Sequence, residues 1–186
     1  MALTVGVGSI PLDPKPESAL RAFRAEADTY VSAARPEANF GRSRTLRADA
    51  TPRETIYLRF RLRELSGEVT SVVLLLHART EARTSFQVRP VGDDDWTERE
   101  LTFETAPEAS LRYAASKPVR RGIWSAVDVT SFVDEGGGRV SLAVTTRGTR
   151  RVVFGSLESR RGPRLVVRTK REKDEGGGKA RGASPS

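Results

Sequence analysis

Hydrophobic and polar positions alternate along much of this chain, in short stretches, which is the signature of strands rather than helices. The cleanest stretch is Thr55–Arg63, where Ile56, Leu58, Phe60 and Leu62 fall on one side of an extended chain. Tyr57, Arg59, Arg61 and Arg63 fall on the other. Period two predicts a strand with one buried face and one wet face, its same-face residues about 6.6–7 Å apart. The wet face would then be a flat basic strip. Shorter patterns predict strands at Ala27–Val31, Thr45–Asp49, Val69–Arg79, Arg83–Val91, Gly122–Asp128, Arg139–Thr146, Arg151–Gly155 and Arg164–Arg168. In Val69–Arg79 apolar residues occupy both faces, so this strand is expected to be central and covered, at least in part, on both sides. His77 near its end reads as a packed or rim histidine. Asp128–Val133 reads as one helical turn capped by Asp128, and Gly136-Gly137-Gly138 as a loose hairpin connection. Residues 97–116 look irregular and polar, with Leu101, Phe103 and Tyr113 as buried points.

About nine short strands, at spacings of roughly 8–15 residues and with only helical turns between them, predict an all-β fold. The expected architecture is an antiparallel β-sandwich of jelly-roll type in a single domain. The length, 186 residues, allows one such domain with tails. Residues 1–24 contain Pro11, Pro14 and Pro16 and read as a flexible leader, with Ser18–Phe23 adding a helical turn at most. The alternative is the remnant of a secretory signal or linker. The domain itself is expected over 25–169. Residues 170–186 hold no apolar side chain larger than alanine and are expected to be a disordered charged tail.

Composition narrows the chemistry. The net charge is +8 and the pI about 10.5, a balance that favours polyanionic partners. Arginine far outnumbers lysine, which suits bidentate pairing with carboxylate or phosphate, although an arginine-rich genome would produce the same bias. Cysteine is absent and His77 is the single histidine, so thiol chemistry, disulfides and multi-histidine metal sites are excluded. The longest apolar run, Val72–Leu76, is too short to span a bilayer. Gly-rich phosphate loops, serine elbows and zinc patterns do not occur. Asp93-Asp94-Asp95 could suit a hard cation, but the 12-residue calcium-loop pattern is missing, and an exposed turn is the simpler reading.

Four pieces of the chain together resemble a known family. They are Ala27-Asp28-Thr29-Tyr30-Val31 with Asn39-Phe40-Gly41 and Leu46; Tyr57-Leu58-Arg59-Phe60; Trp96-Thr97-Glu98 with Leu101-Thr102-Phe103 and Ala106-Pro107; and Asp128–Val133 with Glu158-Ser159 and Pro163–Val167. Their order and spacing, over about residues 25–169, resemble the DNRLRE domain, which includes modules attached to alginate lyases and other secreted polysaccharide-active proteins. Arg61 stands where that family usually has Asp, and Phe103 where it usually has Trp. The resemblance implies a jelly-roll sandwich, an extracellular or cell-surface location, and glycan binding without catalysis. It also implies structural positions near caps and turns for Glu98, Asp128 and Glu158.

The first functional expectation is therefore a non-catalytic carbohydrate-binding module for acidic, alginate-like polysaccharide. Tyr57 would lie against a sugar ring, and Arg59, Arg61 and Arg63 would pair with uronate carboxylates. The alternative is a structural or spacer sandwich of a surface or matrix protein. Non-specific polyanion or nucleic-acid binding ranks third, since aromatics are not interleaved with the basic residues beyond Tyr57. No catalytic residues are expected. A single structural calcium is compatible with such a sandwich, but no spacing locates its ligands. A partner enzyme encoded nearby would fit the first expectation.

Overall fold

The computed structural model describes residues 18–134 and 137–170. Residues 1–17 of the leader expected over 1–24, residues 171–186 of the tail expected over 170–186, and Glu135 and Gly136 lie outside the described residues. Among the described residues, ten strands follow one another in order: β1 (Ser18–Ser32), β2 (Thr45–Ala50), β3 (Arg53–Leu62), β4 (Glu68–His77), β5 (Phe86–Val91), β6 (Ala114–Ala115), β7 (Trp124–Asp128), β8 (Gly138–Thr146), β9 (Val152–Gly155) and β10 (Arg164–Lys170). All the strand pairs are antiparallel. The result is the expected single-domain, jelly-roll-like sandwich.

β1 belongs to both layers. Its first half, Ser18–Arg24, pairs with β10, and its second half, Ala25–Ser32, pairs with β3. A register shift at Glu26 separates the halves, with Ala25 opposite Phe60 and Ala27 opposite Arg59. An extra residue of this kind bends a strand and increases its twist, which lets one strand leave one sheet and enter the other. One layer therefore runs β6-β5-β8-β3-β1, and the other β1-β10-β4-β7. β2 forms a hairpin with β3 and also pairs with β9, and Phe154 of β9 bridges Ala78 just past β4. These links almost close the sheet upon itself.

The first strand departs from expectation at its start. Residues 18–24 were expected in the leader, with a helical turn at most, yet they are extended and paired from Ser18 onward. Partner strand β10 supplies the hydrogen bonds, and that pairing is too distant in sequence for local propensity to reveal.

The core follows from the alternation. Ile56, Leu58, Phe60 and Leu62 of β3 and Val72, Leu74 and Leu76 of β4 share one core with Phe86, Leu142, Phe154 and Leu165. On β4 the opposite face, Val73 and Leu75, is half-buried, so both sides are partly covered as expected. The turn after β7 forms as a 3-10 helix over Thr130–Phe132. Asp128 Oδ1 accepts from the Thr130 amide and hydroxyl, and those bonds hold its carboxyl below the usual range. His77 is buried at the rim and packs edge-on against Trp124, their ring centres 5.3 Å apart.

Candidate functional site

Sequence reasoning pointed to the outer face of β3, and that face carries more structure than expected. The connection between β5 and β6, residues 92–113, folds back over it. Trp96, Leu101, Phe103, Ala106 and Ala109 pack there against Ala27, Val31, Tyr57 and Ala143, making a second, smaller apolar cluster on the outside of the sheet. Three contacts pin this flap. Trp96 Nε1 donates to Ser141 Oγ at 3.1 Å, the Phe103 amide donates to the Pro36 carbonyl at 2.9 Å, and Ala109 bridges Val91.

The expected strip of wet guanidiniums is corrected accordingly. Tyr57 is 5 % exposed; its ring meets Trp96 edge-on and its hydroxyl donates to the Pro107 carbonyl at 2.8 Å. Burial pushes its phenol up to about 12. Arg59 lies over the Trp96 ring, donates to the Asp94 and Trp96 carbonyls, and stands 3.7 Å from Glu26. Arg61 reaches the same Glu26 at 3.5 Å and is about one-third exposed. Arg63 lies beyond the end of β3 and is exposed. The strip therefore splits into a buried tyrosine, an arginine clamped beneath the flap, a half-covered arginine and a free one. Two physical causes act: the flap covers Tyr57 and Arg59, and Glu26, the extra residue in β1, brings a carboxylate to the two middle guanidiniums.

Beside the flap the same face opens into a cleft of about 420 Å³. Tyr57 and Thr55 of β3 and Thr145 of β8 line it, together with Phe103 and Pro107 of the flap. Two arginines absent from the expected set, Arg53 and Arg89, line it as well. Arg53 lies over the Phe103 ring at 4.8 Å and is exposed. Among the described residues its guanidinium has no hydrogen bond or ion pair. Arg89 lies over Tyr113 at 5.2 Å and donates to the Ser110 and Leu111 carbonyls and to Gln87. Those bonds use three of its five N–H donors. Glu108 also lines the cleft, and Leu111 at its edge is 91 % exposed. Tyr113, expected as a buried point, is half exposed, because Arg89 supports one face of its ring and leaves the rest to solvent.

Such a cleft offers a flat apolar wall and a cation with unused donors, which suits a polyhydroxylated or carboxylated ligand more than a compact apolar one. Arg53 and Arg89 could have been suspected from sequence on one ground. Trp96, Leu101 and Phe103 are too apolar for a connection left in water, so something had to lie beneath them.

A third grouping sits where β1 leaves β10. Asp28, Glu98 and Glu158 each bring a carboxylate oxygen within 4.8 Å of the others. Asp28 Oδ2 accepts from the Leu157 amide at 2.8 Å, and Glu98 Oε1 accepts from the Asp28 amide at 2.9 Å. Burial, with the negative charges of Glu158 and Glu98 adding to it, raises the Asp28 carboxyl to about 8. Burial also raises Glu98. By contrast, the aspartates at 93–95 form a plain turn, in which Asp93 Oδ1 accepts from the Asp95 amide.

A comparison with curated proteins finds no match. The profile of carbohydrate-binding module family 96 matches residues 19–169, from the first strand to the last. Those residues include the flap, the cleft and both halves of β1, and the chain accordingly belongs to carbohydrate-binding module family 96, a family of non-catalytic binding modules.

Proposed function

We propose that the chain binds acidic, alginate-like polysaccharide in the cleft beside the flap, as a module of DNRLRE type working outside the cell. The observation that carries this reading is the Arg53 guanidinium, braced on Phe103 in the cleft and free of any protein partner among the described residues. A uronate carboxylate is a planar two-oxygen acceptor that matches its fork. Arg89 keeps two donors for a neighbouring carboxylate or hydroxyl. Tyr57 supports the floor rather than stacking on sugar, since its hydroxyl is engaged and its ring covered. Arg63 and the open edge of Arg61 extend the basic surface along β3. Family membership supports carbohydrate as the ligand class, and the charge of the cleft supports an acidic one.

Retention on an affinity gel tests the reading. The parent chain is expected to be retarded by alginate and not by a neutral glucan, with retention falling as sodium chloride rises toward a screening length of about 8–10 Å. Arg53→Ala should sharply reduce the retardation while leaving the thermal midpoint nearly unchanged, and adding Arg89→Ala should abolish it, with some loss of midpoint because the Ser110, Leu111 and Gln87 contacts go too. Full retention by this double variant would reject the cleft as the site. Equal retention by neutral and acidic gels would reject the acidic preference.

A further inference from the structure

Asp28, Glu98 and Glu158 come from three separate parts of the chain: β1, the flap, and the connection from β9 to β10. None of them lines the cleft. Asp28 is 1 % exposed, and its Oδ1 is buried without a hydrogen-bond partner. A buried carboxylate oxygen left unsatisfied costs about 1–3 kcal/mol or more, and two further carboxylates crowd the same spot. Among the described residues, none of the three forms an ion pair with lysine or arginine. The chain has thus gathered three acids, one of them fully enclosed, with no ion-paired cation among the described residues; Arg99 and Arg59 act on Glu98 only from beyond ion-pair distance.

We propose that these three carboxylates hold one calcium ion at the rim between the two sheets. Calcium takes six to eight oxygen ligands at about 2.3–2.6 Å, so two oxygens on one ion lie no more than about 5.2 Å apart. The cluster meets that limit as it stands. Its donors are all oxygen, which suits a hard cation and not zinc or copper. The Leu157 amide holds Asp28 Oδ2 and the Asp28 amide holds Glu98 Oε1, so both carboxylates are oriented before any ion arrives. Glu158 is exposed, which leaves room for water to complete the shell. Bound there, the ion would tie the flap and the β9–β10 connection to β1, at the point where β1 has left β10 and has no strand beyond it. Its role would be to lock the rim, independent of any sugar.

The test uses the full chain, stripped with EGTA, and reads no polysaccharide. Calcium chloride at a hundredfold excess over Kd is expected to raise the thermal midpoint by roughly 5–10 °C. Titration calorimetry should show one ion per chain. Magnesium chloride at matched ionic strength should do much less. Glu158→Gln, at an exposed position, should melt like the parent in EGTA and bind calcium roughly tenfold or more weakly. Asp28→Asn keeps an acceptor for the Leu157 amide and removes a buried charge, so it should melt no lower than the parent in EGTA while losing its response to calcium. A parent midpoint identical in calcium and EGTA would overturn the proposal and leave the acids sharing a proton. An equal shift with magnesium, or unchanged calcium binding by Glu158→Gln, would overturn it too.

Discussion

Trp96 is the residue on which the flap turns, and its removal gives a sharp test of how that segment is held. The side chain is 7 % exposed. Its indole N–H reaches Ser141, its ring edge meets Tyr57 at 6.1 Å between centres, and the Arg59 guanidinium covers its face at 5.0 Å. Truncating a buried tryptophan to alanine costs about 3–5 kcal/mol when the surroundings cannot collapse. Within that total, the aromatic contact contributes about 0.5–1.5 kcal/mol and the guanidinium stacking a similar amount. Trp96→Phe keeps much of the ring but leaves Ser141, itself 3 % exposed, without its donor, a loss of about 1–3 kcal/mol. At 2–4 °C per kcal/mol for a domain of this size, Trp96→Ala should lower the thermal midpoint by about 6–20 °C and Trp96→Phe by about 2–12 °C. Because the flap lies outside the main core, part of the effect should be local opening. Limited proteolysis should then cut Trp96→Ala within 92–113 well before the sandwich melts. A Trp96→Ala protein that melts within about 2 °C of the parent and is cut no faster would refute the claim that this residue anchors the flap.

Other outcomes follow from single contacts. Gly41→Ala would set a Cβ 2.2 Å from the Glu98 carbonyl oxygen, which is backbone and cannot swing away, so a loss of about 1–3 kcal/mol in urea unfolding is expected. Glu26→Gln removes the shared partner of Arg59 and Arg61, and because that pairing is partly solvated the loss should stay near 1 kcal/mol or less, checked by the same assay. Burial, and then the nearby Arg161 guanidinium, hold His77 below its ordinary value. The unfolded chain therefore takes up that proton first as pH falls. The contribution of the neutral ring is complete above about pH 6.5 and is lost progressively below it, toward the folded value. Arg161→Ala should move the NMR titration of this histidine upward; a downward movement would contradict the assignment.

The inner half of the fold was legible in the sequence, and the outer half was not. Ile56, Leu58, Phe60 and Leu62 point inward as their period demands, because one continuous core rewards strict alternation. The same period said only that Tyr57, Arg59 and Arg61 share the other face. Whether that face is wet depends on residues 92–113, whose path over the sheet no local pattern encodes. The arginine bias misled in the same way. Among the described residues, eight arginines lie over aromatic rings, including Arg35 on Phe40 and Arg47 on Tyr30, with the Phe40 and Tyr30 rings themselves stacked at 4.3 Å. Much of the basic surplus therefore shields rings that a thin sandwich cannot enclose, and only part of it is free for a ligand. Glu98 and Glu158 were visible as carboxylates, but their meeting with Asp28 depends on three distant segments converging.

The division of β1 between two layers bears on how the protein comes to be made. Ser18 pairs with Lys170 and Phe23 with Leu165. As the polypeptide leaves the ribosome, the front half of that strand has no neighbour until almost the whole domain has been translated. β3 can pair early with β2 and the rear half of β1, but β5 and β6 join that layer only through β8, and the front half of β1 waits for the last strand to arrive. Folding dominated by such distant pairings is slow, on the order of milliseconds to seconds. In that interval the nascent chain presents an unsatisfied β edge bearing Leu20 and Phe23, the segment a chaperone would be expected to cover.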